Sequence, residues 1–68
     1  MIDHIEILSE GFELKDKSIQ LLRPEGYERY EGREATVIGK YAHDEVYYVK
    51  LKSSGKIFVV KKGEFIIL

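Results

Sequence analysis

Two apolar runs set the terms for this chain. "EVYYVKLK" (45–52) and "IFVVKK" (57–62) are rich in β-branched and aromatic residues, and "SSGK" between them is turn chemistry. That is the pattern of a β-hairpin. A two-residue loop at Ser54-Gly55 sets Lys52 opposite Ile57, Leu51 opposite Phe58, Lys50 opposite Val59, Val49 opposite Val60 and Tyr48 opposite Lys61. Residues facing each other across antiparallel strands share a face. One face then holds Val49, Leu51, Phe58 and Val60, and the other holds Tyr48, Lys50, Lys52, Ile57, Val59 and Lys61. A slip of one residue would oppose lysines to core residues, so the alternation separates inside from outside.

The rest of the chain reads as further short strands. "KSIQLL" (17–22) stops at Arg23-Pro24-Glu25-Gly26, where Pro at the second position and Gly at the fourth suit a type I turn. "ATVIGKY" (35–41) is a strand in which Gly39 suggests a bulge or sharp bend. "AHDE" turns it into the hairpin, "KKGE" turns out of the hairpin, and "FIIL" (65–68) is a last strand expected to pair into the sheet. Five strands are thus expected near 18–22, 35–41, 46–52, 56–61 and 65–68. One long connection followed by short turns, with no long helix, resembles the layout of SH3-like barrels. The expected fold is all-β: a five-stranded SH3-like small barrel over 17–68, with residues 1–16 as an N-terminal extension of one domain. Met1, Ile2, Ile5, Leu8 and Phe12 fit a helical stripe, while Ile5, Ile7 and "GFEL" fit strands, so an extra strand or a short helix both remain open there.

Size narrows the function classes. A chain of 68 residues buries only about 60% of the surface it exposes when unfolded. It has no cysteine, which excludes disulfides, thiolate metal sites and thiol catalysis. "MIDHIEILSEG" has no basic segment ahead of its apolar residues and no small-residue cleavage site, which reads against a secretion signal. With no long apolar run either, the expectation is a cytoplasmic protein without membrane contact. The charge is uneven: residues 1–34 carry nine acids and five bases, and residues 35–68 carry six lysines and three acids. Nucleic-acid binders are usually basic overall, and this chain is not, although its second half offers a basic face.

"LKDKSIQLLRPEGYERYEGREATVIGKY" resembles the opening of several SH3-like small barrels, with an apolar strand, a Pro turn, loop aromatics, then Gly and a "TV" strand. "GREATVIGKY" resembles KOW-type domains of ribosomal and transcription proteins, with Gly32 ahead of the strand 35–41; those domains usually carry a second Gly where this chain has Ala35. "LLRPEGYERY…TV", from Leu21 to Val37, is similar to the photosystem I reaction-centre subunit IV family, with two extra loop residues here and no counterpart to the first sixteen. Both resemblances imply a non-catalytic subunit that docks onto something larger.

Two surfaces are candidates for function. In the long loop, Tyr27 and Tyr30 are interleaved with acids and with Arg29 and Arg33. Tyrosine offers flat apolar area with a polar tip, which suits protein interfaces. Tyr27, Tyr30, Arg33, Tyr41 and Tyr47 are the candidate partner-binding residues. An SH3 domain's proline-peptide groove is normally completed by a Trp, and this chain has none. The alternative is a nucleic-acid face on the hairpin: Lys50, Lys52 and Lys61 against phosphates, with Tyr48 stacking on a base. Self-association through 65–68 or an Ile57/Val59 patch is a third route. His43-Asp44-Glu45 and Asp3-His4 with Glu6 lack metal-ligand spacing, the serines lack a base motif, and the glycines are isolated. No catalytic residue, metal or cofactor is therefore expected. The reading is a binding module with a protein partner: an accessory subunit or inhibitor of a larger machine, a phage-encoded one included.

Overall fold

The structure, a computed structural model, describes residues 6–23 and 26–68. Its strands are β1 (Ile7–Leu8), β2 (Ser18–Leu21), β3 (Glu34–Tyr41), β4 (Val46–Leu51), β5 (Ile57–Lys61) and β6 (Phe65–Ile67). A 3-10 turn, Glu28–Tyr30, lies between β2 and β3. The chain is all-β, as its alternation implies. It forms one antiparallel sheet in the order β5-β4-β3-β2-β6, with β1 pairing beside β3. Of the strand option for the N-terminal stretch, Ile7–Leu8 is seen as a strand, whereas "GFEL" (11–14) forms bends and turns. Met1, Ile2, Asp3, His4 and Ile5, and Pro24 and Glu25 of the expected turn, lie outside the described residues.

Period-two burial runs through every long strand. β4 buries Tyr47, Val49 and Leu51 and turns Tyr48 and Lys50 outward. β5 buries Phe58 and Val60, β3 Ala35 and Val37, β2 Ile19 and Leu21, and β6 Phe65. All join one apolar cluster, and no described polar or charged residue is buried. Ile19, Leu21, Val37, Val49 and Val60 are almost fully sealed, each worth roughly 1.5–3 kcal/mol of transfer free energy.

The sheet is strongly curled. β5 and β6 end its ladder, four strand spacings apart, which is roughly 19 Å in a flat sheet. Yet only residues 62–64 join them, a reach of about 13 Å at most. The Tyr47 and Phe65 rings, from β4 and β6, meet edge-on at 5.6 Å. Curling therefore folds one face inward around the core. The ladder stays open where a fully closed barrel would join β5 to β6.

Two details differ from or sharpen the sequence reading. The hairpin register is Lys50↔Ile57, Val49↔Phe58, Tyr48↔Val59 and Tyr47↔Val60, two residues from the expected one. The loop is Lys52–Gly55, closed by Leu51 N–H to Lys56 O at 2.8 Å and Gly55 N–H to Leu51 O at 2.9 Å. Two-residue hairpin loops need a positive φ at their first central position. Here only Gly55 has one, at 76°, so the longer loop with a single left-handed residue at its end is the one this sequence supports. The faces survive because a two-residue slip preserves alternation. The second detail is Gly39, where the β3–β4 register shifts between Val37 and Gly39. A Cβ there would sit 3.2 Å from Leu8 O, so glycine lets β1 approach.

Candidate functional site

The long loop is pinched at its base. Gly32 N–H bonds Leu21 O at 2.7 Å, and Leu21 N–H bonds Arg33 O at 2.9 Å. Inside that neck the chain makes its 3-10 turn, with Tyr30 N–H to Tyr27 O at 2.9 Å and Glu31 N–H to Glu28 O at 3.1 Å. The Glu28 carboxylate accepts from Gly26 N–H at 2.7 Å, which ties the loop's entry to the turn. Residues three apart eclipse in 3-10 geometry. Tyr27 and Tyr30 consequently project to the same side, with ring centroids 6.4 Å apart and planes 28° apart.

Both rings lie on Phe58. Tyr27 is 4.5 Å from it at 23°, and Tyr30 is 5.3 Å from it at 19°. Phe58 is almost fully buried and belongs to the core, whereas the two tyrosines are half-buried at its margin. The loop is neither a free flap nor a sealed lid. One face of each ring is spent on the core, and part of each tyrosine stays open to solvent. Two cations flank the outer ring: Arg29 Cζ lies 5.0 Å from the Tyr30 centroid and Lys56 Nζ 5.4 Å from it. Hydrogen bonds from Lys56 and then from Arg29 hold the Tyr30 phenol below its ordinary value near 10.

The other expected residues fall into separate places. Arg33 is exposed at the loop's neck, with its N–H on Tyr30 O at 3.0 Å, and makes no ring contact with the stack. Tyr47 is drawn into the core at 6% exposure, between Phe12 and Phe65, and offers a partner little surface. Its alternation with Val49 and Leu51 was the signal for that. Burial, with the nearby Glu45 carboxylate, raises its phenol above the ordinary value. Tyr41 instead meets Tyr48 at 5.8 Å on the half-buried outer side, and a hydrogen bond to Tyr41 raises the Tyr48 pKa.

On the hairpin's outer face, Lys50 faces Ile57 and Tyr48 faces Val59, while Lys61 sits opposite Val46 at the far end. Lys52 lies past the strand and bends away: its Nζ reaches Ser18 Oγ at 2.8 Å and Glu34 at 3.7 Å. The expected basic face is thus a mixed one, with Ile57 half-exposed beside Lys50. Sequence reasoning missed Phe58 as the floor of the stack and Arg29 and Lys56 as its flanks. Arg29 adjoins Tyr30 in the chain and was legible; Phe58 and Lys56 come from a strand and loop nearly thirty residues away.

Among the described residues no His, Asp and Glu group is placed to hold a metal ion, and no helix is long and apolar enough to cross a membrane. The chain matches no protein-family model, no curated protein and no solved structure.

Proposed function

We propose that this chain is a non-catalytic binding module on an SH3-like barrel, docking a protein partner through the Tyr27–Tyr30 loop. The strand order β5-β4-β3-β2-β6, the long loop between β2 and β3 and the curl of the sheet support the barrel reading. The observation that carries the functional reading is the three-ring stack. Phe58 holds Tyr27 and Tyr30 in place before any partner arrives, so docking loses little side-chain entropy. Arg29 and Lys56 beside the half-buried Tyr30 ring suit a partner surface that sets a carboxylate next to an apolar group. The module then serves as an accessory subunit or inhibitor of a larger assembly.

A nucleic-acid role for Tyr48, Lys50, Lys52 and Lys61 is less favoured, because Lys52 is drawn to Glu34 and half-exposed, apolar Ile57 lies beside Lys50. One experiment separates the two. Affinity capture from host extract, quantified by mass spectrometry, is run with the wild type and with Arg29→Glu/Lys56→Glu, both exposed positions. A protein retained by the wild type and lost by the variant is the expected result. Equal capture by both, or oligonucleotide binding at about 50 mM salt that disappears with Lys50→Glu, would overturn the reading.

A further inference from the structure

β6 ends the sheet, and its free edge has a definite hydrogen-bonding parity. On the β2 side, Leu22 N–H bonds Glu64 O at 2.8 Å and Leu68 N–H bonds Ser18 O at 2.9 Å. Bonded and non-bonded pairs alternate along an antiparallel ladder, so the bonded position between these is Gln20↔Ile66. Phe65 and Ile67 face Leu21 and Ile19 at the non-bonded positions, and their N–H and C=O groups therefore point away from β2. Among the described residues no strand and no backbone group pairs with them there.

Apart from being short, this edge lacks the usual protection. Phe65–Ile67 has no charge, proline or bulge, while Ile66 is 44% and Ile67 54% exposed. Beside it runs a groove of about 540 Å³ whose apolar lining is Leu14, Tyr47, Phe65, Ile66 and Ile67, with Glu13, Glu45 and Lys62 also lining it.

We propose that the occupant of this edge is a second copy of the chain, its β6 added antiparallel about a two-fold axis at Ile66. The register is self-complementary. An axis at Ile66 makes Phe65 of one copy a bonded pair with Ile67 of the other, and the reverse, so every outward-pointing group on both edges is satisfied together. Ile66 then meets Ile66 of the second copy. Ile67 of the second copy stands opposite Phe65 on the same face, over the groove. Charge does not oppose the approach, since Glu64 turns its carboxylate back onto Lys61 N–H at 2.7 Å and Lys62 is held by Glu45 at 3.3 Å. An isologous contact of this kind consumes the edge on both copies and closes at a dimer rather than propagating. The strand is only three residues long, so the contact is small and the dimer is expected to depend on concentration.

Sedimentation velocity across a concentration series tests this. The wild type is expected to show a monomer–dimer equilibrium. Ile66→Lys, at an exposed side chain, is expected to be monomeric throughout, and Ile7→Lys, equally exposed but on β1, to dimerise as the wild type does. In the unaltered protein, amide exchange at Phe65 and Ile67 is expected to slow at least several-fold as concentration rises, which reads the edge without any substitution. A monomer at every concentration, a dimer that survives Ile66→Lys, or exchange at Phe65 and Ile67 that ignores concentration would overturn the proposal. Substitutions at Arg29 and Lys56 leave this equilibrium unchanged, so its outcome is independent of the loop's partner.

Discussion

Tyr27 lies nearly flat on Phe58, ring centroids 4.5 Å apart, and with Tyr30 on the same ring it ties the loop between β2 and β3 to the core. Phe58→Ala is expected to cost about 3–5 kcal/mol in chemical denaturation, because it opens a cavity and removes the floor under both tyrosines. Tyr27→Ala is expected to cost about 1–2 kcal/mol, the half-buried ring contributing less area. Near-ultraviolet circular dichroism should lose part of its tyrosine signal in both, the share of Tyr27 and Tyr30. A Phe58→Ala protein with an unchanged tyrosine signal would show that the loop is held by something else.

The tyrosines should titrate apart. Lys56 and Arg29 lower Tyr30, while burial raises Tyr47 and the Tyr41 hydrogen bond raises Tyr48. The raised pair favours the folded state below the unfolded value near 10 and loses that contribution as pH climbs through the folded values. Tyr30 acts with the opposite sign: its contribution is present above 10 and lost as pH falls through its lowered value. Absorbance at alkaline pH should therefore show one early phenolate, with unfolding following as the raised pair ionises. Tyr47→Phe, which cannot ionise, should shift that unfolding to higher pH, and Tyr30→Phe should remove the early phase.

Gly39 should be sensitive to side-chain size for a steric reason alone. Its φ is ordinary, but an added Cβ would stand 3.2 Å from Leu8 O. Gly39→Ala is expected to push β1 off β3, speeding exchange of the Ala42 amide that bonds Glu6 O at 2.9 Å. β1 is only Ile7–Leu8, so the global cost should stay near about 1 kcal/mol. Unchanged exchange at Ala42 would place the steric limit elsewhere.

Gly55 should be sensitive for a conformational reason. At φ 76° it occupies the left-handed region with room around it, the nearest outside atom being the flexible Lys50 Cε at 3.5 Å. Gly55→Ala is expected to cost about 1–2 kcal/mol, against a few tenths for Ser54→Gly beside it. Thermal unfolding of the two variants measures the difference directly.

Much of this fold is legible in its amino acids. The alternation in "VYYVKL" and "IFVV" places Val49, Leu51, Phe58 and Val60 on the buried face, and Gly39 announces the bulge in β3. The register of that same hairpin is not legible, because pairing Lys50 with Ile57 or with Val59 leaves every side chain on the same face. Tyr47 belongs to the buried face by alternation, yet tyrosine's usual place at interfaces argues the other way. The loop's composition marks Tyr27 and Tyr30 as distinctive without revealing what they rest on.

Strand identity and sidedness thus follow from preferences that act over a few neighbouring residues: β-branching, period-two polarity, and glycine where the backbone needs it. The curl that brings β6 back to Tyr47, the stack on Phe58 and the open edge at Phe65 and Ile67 arise otherwise. They depend on contacts between residues far apart in the chain, and closing a longer loop to make one costs only slightly more than closing a shorter one. Local chemistry therefore ranks such pairings weakly, and the choice among them falls to how the whole set of side chains packs around one core.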